Sequence, residues 1–163
     1  EVFIAISPAM IAVSAGDISE ETSLRIKAMY KIIGELESLG DSGESISRIL
    51  SRKNIHKKSF DQDTVKKLED MVDAVEKAYD AMIANLNAAH RGQLEGISNA
   101  YNAEDRLNNL RNYLRDAEIE EIESNRKNYQ TSVYYMDIVS ELEKMGDFII
   151  NISQNLEKVF VKK

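Results

Sequence analysis

The sequence predicts an all-α domain, an antiparallel helical bundle built from two related units. Three observations carry this. A thirteen-residue phrase is written twice, 106 residues apart: ELESLGDSGESIS at 35–47 and ELEKMGDFIINIS at 141–153. Seven of its thirteen positions are identical, and an internal repeat constrains architecture before any local assignment is made. The composition of one Pro, seven Gly and 30% charged residues suits helices and little else. Apolar residues also recur at three- and four-residue spacing along most of the chain.

Five helical segments are expected. The first covers about residues 2–14 and stops at Ala15–Gly16–Asp17. Ser19, followed by Glu20 and Glu21, opens the second, because a hydroxyl cap and acids suit the positive end of a helix. This second helix is expected to run to about Arg52, with Ile26, Met29, Ile33, Leu36, Gly40, Gly43, Ser47 and Leu50 as its inward seam. Two glycines on one seam cost ~1 kcal/mol each against alanine, so close approach of a neighbour or room beside the acids is implied.

A polar linker at 53–60 then leads to a third helix at 61–91. Its expected stripe is Val65, Leu68, Val72, Val75, Tyr79, Met82 and Leu86. A fourth covers about 95–123 with Leu107, Leu110 and Leu114 as its core face, and a polar, uncapped stretch at 124–130 turns the chain. The fifth runs from about 131 to 160 and carries the second phrase. Short connections between long helices favour antiparallel neighbours.

A net charge of −7 and a pI near 5.0 argue against nucleic acid, whose phosphates require a basic surface. The same charge argues against direct docking on anionic lipid. The densest basic run, Arg52–Lys53 with Lys57–Lys58, reads as a solvated loop. With no cysteine, disulfides and thiolate metal sites are excluded. No stretch reaches the ~18 apolar residues of a membrane span. The nearest, VFIAISPAMIAV at 2–13, is broken by Pro8 and reads as a buried helix. An apolar pattern already under way at Glu1 reads as part of something longer.

The repeated phrase places two carboxylates four apart in each copy, Glu37 with Asp41 and Glu143 with Asp147. Residues at that spacing share one helix face, where like charges repel mildly. Asn151 extends the second line by a turn, where the first copy has Ser45. Compensation by a cation, by basic side chains of a neighbouring helix, or by a helix N-terminus is therefore expected. A carboxylate and amide set suits hard or borderline cations. Salt bridges or plain solvation are the bland alternative. Nothing supports catalysis: there is no nucleophile beside a histidine, no phosphate loop and no HExxH. His56 and His90 fall near helix ends, and neither follows a glutamate by three residues as a di-iron bundle requires.

The phrase E-L-E-x-x-G-D-x-x-x-(S/N)-I-S, carried twice on long helices, resembles the PhoU family. That resemblance implies two three-helix units, each ending in a helix whose E-x-x-x-D core holds iron or zinc. Position by position, Glu37 and Asp41 match the first core, Glu143 and Asp147 the second, and Asn151 the signature asparagine. Ser38 and Lys144 replace the signature arginine, and Ser45 the first asparagine. The resemblance implies a partial first unit at 1–58, lacking its opening helix, and a complete second unit at 59–163.

The stretch AEDRLNNLRNYLRDAEIEEIE is similar to PhoU-like tails of bacterial sodium/phosphate cotransporter proteins. This implies a non-catalytic regulatory domain on the cytoplasmic side of the cell membrane, partnered by the membrane portion of a transporter. The alternatives are a free-standing cytoplasmic PhoU-type regulator of phosphate uptake and a metal-binding enzyme or storage bundle. An exposed apolar groove in an incomplete unit further predicts a homodimer.

Overall fold

The computed structural model describes residues 19–161. These form four helices: α1 at Glu20–Ile55, α2 at Gln62–His90, α3 at Ser98–Glu123 and α4 at Tyr129–Phe160. The described residues contain no strand, in keeping with the all-α expectation. The helix expected at about 2–14 lies outside them.

Local chemistry accounts for the starts and stops. Ser19 caps α1 by accepting the Thr22 N–H, with Glu20 and Glu21 in the first turn. Asp61 caps α2 through the Thr64 N–H at 2.7 Å. The stretch before α4, expected to be uncapped, is capped after all: the Asn128 side chain accepts the N–H groups of Gln130 and Thr131. Only α3 begins without a side-chain cap. α1 also runs past its expected end, so Arg52 and Lys53 stand in its last turn rather than in a loop. Cations there meet the negative end of the helix. Lys53 additionally donates to the Lys58 carbonyl and lies 4.8 Å over the Phe60 ring.

α4 is the hub. It packs against α1, α2 and α3; α2 and α3 pack on each other, whereas α1 meets α4 alone among the described helices. The core of the three-helix part includes Met71, Met82, Leu107, Leu114, Tyr135, Ile149 and Ile152. α1 runs antiparallel to α4. Arg25, near its start, lies over the Phe160 ring at 5.5 Å, and His56, past its end, is 2.5 Å from the Tyr134 hydroxyl. This sets the two copies of the phrase side by side. Leu39 and Met145, equivalent by the repeat, line one cavity of about 400 Å³ with Val75 and Ile149.

Two expected seams are corrected. On α1 the buried or half-buried line is Ala28, Ile32, Leu39, Ser42, Ile46 and Ile49, one position round from the expected seam. Of the expected residues, Ile26 and Ile33 are half-buried, and Met29, Leu36, Gly40, Gly43, Ser47 and Leu50 are exposed. A helix with two apolar lines gives no sequence clue to which one its neighbour takes. On α2 the buried line is Thr64, Met71, Val75, Ala78, Met82, Asn85 and Ala89, which keeps the expected Val75 and Met82, and the expected Leu68 and Leu86 are half-buried. Val65, Val72 and Tyr79 sit on its exposed edge, because small residues such as Ala78 and Ala89 occupy the close approach between helices.

Candidate functional site

The acids of the two phrases are presented differently. Glu143 projects from α4 towards α3, where the Arg111 guanidinium holds it at 2.8 Å. One turn on, Gly146 is buried against Leu107: a Cβ added there would lie 3.0 Å from the leucine Cδ1. Of the three sources of compensation expected for these acids, a base from a neighbouring helix is the one Glu143 meets. Asp147 is exposed and lies near the half-buried Glu104 of α3. Burial first, then the charges of Asp147 and Asp105, push the Glu104 carboxyl above its ordinary range. Asn151 is half-buried, and its backbone carbonyl accepts the Asn155 amide at 2.8 Å.

Glu37 and Asp41 are exposed on α1, with no partner among the described residues. A methyl group added to Gly40, which lies between them, would find nothing within 4 Å among the described residues. The two acidic pairs therefore do not face one another. Among the described residues, no group of three or more His, Asp or Glu side chains gathers to hold a metal.

The repeat shows what α1 lacks. Adding 106 to each member of its expected seam gives Ser132, Tyr135, Val139, Leu142, Gly146, Ile149, Ser153 and Leu156, and every one of these is buried. Leu36 is 42% exposed where Leu142 is 4%. α4 covers this line with α2 and α3, whereas α1 leaves it open among the described residues. The open line of α1, with Glu37 and Asp41 along it, is the candidate functional surface.

A second constellation was not expected from the sequence. Glu118 of α3 is 1% exposed, accepts the Ser132 hydroxyl and lies 3.4 Å from the Lys127 ammonium. Lys127 also donates to Thr64 at 2.7 Å and reaches Glu121 at 3.1 Å. Lys127 is the leading cause that lowers the Glu121 carboxyl. The Tyr135 hydroxyl, fully buried, has no hydrogen-bond partner in the described structure, and burial first, then Glu118, pushes its proton loss far up. Of these groups Thr64, Glu118, Lys127 and Tyr135 line a cavity of about 250 Å³ where the starts of α2 and α4 meet the end of α3. Its sequence signal was an acid on the core line: Leu107 and Leu114, continued by four residues, arrive at Glu118. The two histidines lie at helix ends as expected, both exposed.

No helix among the described residues is long and apolar enough to cross a membrane. The chain matches no known family model, no curated protein and no solved structure.

Proposed function

We propose that this chain is a regulatory helical domain of the PhoU kind, acting without catalysis on a sodium-dependent phosphate transporter through helix–helix contact. The observation that carries this reading is the mismatch between the two copies of the phrase. One copy is buried in a three-helix unit, and the other offers the same apolar line, with its acids, to a partner. A surface of this composition recognises an amphipathic helix, with apolar residues for the seam and bases for Glu37 and Asp41. Arg111 on Glu143 and Leu107 on Gly146 supply the pattern for such a partner within the same fold.

The test is the initial rate of sodium-dependent phosphate uptake in bacterial cells that rely on a sodium/phosphate cotransporter. Expressing the chain is expected to change that rate, and L36D, on the open line, is expected to abolish the change. Unchanged uptake with folded chain present overturns the reading. Unchanged uptake accompanied by altered output of a phosphate-starvation reporter favours the free-standing regulator instead.

A further inference from the structure

We propose that the groove between the end of α1 and the start of α4 binds a nucleoside polyphosphate, with its phosphates at Arg48 and Arg52 and its base at Tyr129. Two adjoining cavities make up the groove, of about 720 and 630 Å³, and Arg52 and Asp137 stand in the walls of both. Volumes of this order suit a small-molecule ligand. The charge of the groove runs against that of the chain, whose net is −7. Arg48, Arg52, Lys58 and Lys144 line it, and the acids in its walls are Asp137 and Glu141.

Chemistry is graded along the groove. At one end Arg48 and Arg52, four apart, share a helix face, with the hydroxyls of Ser51 and Ser140 in the same cavity. Guanidinium forks and hydroxyls are the donors that phosphoryl oxygens take. Arg48 and Lys144 each keep an acid, Glu44 at 2.6 Å and Glu141 at 2.9 Å, whereas Arg52 has no ion pair among the described residues. In the middle Asp137 is exposed and likewise has no ion pair among them. A carboxylate there repels phosphate but accepts ribose hydroxyls. At the other end Tyr129, Val133 and Tyr134 line the second cavity, and Tyr129 is 68% exposed. An open aromatic face of this kind is a stacking platform for a base. Two turns of α4 separate Glu141 from Val133, ~12 Å along its axis, and a nucleoside diphosphate extends about as far.

The backbone after α1 points the same way. Lys57 adopts the left-handed conformation, φ 53°, a place usually taken by glycine. The Lys58 N–H returns to the Lys53 carbonyl and the Lys57 N–H to that of Asn54, which ends the helix and brings Lys58 into the wall of the second cavity. Lys58 is half-buried there and has no ion pair among the described residues. Its ammonium offers a donor to the ring acceptors of a base. His56, in the same wall, is hydrogen-bonded to the Tyr134 hydroxyl and ties the two helices together at the aromatic end. Leu36, Glu37 and Asp41 line neither cavity, so the groove stands apart from the partner surface proposed above.

Titration calorimetry of the full chain with ADP, GDP, adenosine and pyrophosphate, in the absence of divalent cations, tests this. At least one of the two nucleotides is expected to bind saturably at a single site, with adenosine and pyrophosphate weaker by ~10-fold or more. R52Q is expected to weaken that nucleotide ~10-fold, because a bidentate charged donor is lost. Y129A is expected to weaken it ~5-fold through the loss of stacking. R106Q, on the exposed side of α3, should leave it unchanged. Circular dichroism confirms that the helices of each variant persist. In the parent chain the nucleotide is expected to shift the amide resonances of Arg52, Ser140 and Val133 and to leave those of α3 in place. Pyrophosphate or adenosine bound as tightly as the nucleotides would overturn the proposal. So would saturable binding of neither nucleotide, unchanged affinity in R52Q, or shifts confined to another part of the chain.

Discussion

Gly40 and Gly146 occupy the same place in two copies of one phrase, yet a methyl group would meet opposite fates at them. At Gly146 it would press on Leu107, itself buried and unable to retreat far. At Gly40 it would meet nothing among the described residues. G40A is therefore expected to stabilise the chain by up to ~1 kcal/mol, the helix preference of alanine over glycine. G146A is expected to destabilise it by ~1 kcal/mol or more, because overpacking outweighs that preference. Urea midpoints moving in the same direction for both variants would contradict the difference. Glu104 gives a second contrast, in pH. Its carboxyl is held high, chiefly by burial and then by Asp147, so the folded state favours its protonated form. The stabilisation from that proton is present at low pH and is lost as pH rises through the folded pKa. E104Q, neutral throughout, is expected to gain a few tenths of a kcal/mol over the parent at pH 7 and nothing near pH 3. A gain of equal size at both pH values would assign the effect to packing rather than charge.

The helices themselves show what the sequence made legible and what it did not. Ser19 and Asp61 marked their starts correctly, because a cap is a local interaction between a side chain and the N–H groups a few residues on. The repeat marked α1 and α4 as equivalents, and Leu107 and Leu114 were placed in the core as they are. The seam of α1 was misplaced by one position and that of α2 only in part, with Val75 and Met82 buried as expected but Val65, Val72 and Tyr79 exposed, because the choice between adjacent apolar lines belongs to the neighbour and not to the helix. The acids of the candidate site were legible as residue types. Their presentation was not, since Arg111 lies thirty-two positions before Glu143 and nothing local links the two. The equivalence of the seams predicts an inequality of energies. L142A is expected to cost ~2–4 kcal/mol, as for a buried leucine in a packed core. L36A, at the matching position on a partly open line, is expected to cost less than ~1 kcal/mol. Equal losses in urea unfolding would mean that the line on α1 is covered in solution along its whole length.

Taken as a whole, the described chain is a three-helix unit, α2 to α4, with a fourth helix laid along one side of its hub. α2, α3 and α4 each touch the other two and enclose most of the buried side chains. α1 has a single helical neighbour, and its own buried line is short of large residues, with Ala28 and Ser42 among its four most buried positions. Regions with fewer buried apolar contacts open at lower free energy than the global transition. Amides of α1 are therefore expected to exchange with deuterium through a partial opening that leaves α2 to α4 protected. The long antiparallel contact with α4 makes that opening cooperative rather than a fraying from one end. Protection equal in α1 and α4, lost in one event as denaturant rises, would instead mean that the four helices fold as a single unit and that the division at the α1–α2 connection has no energetic meaning.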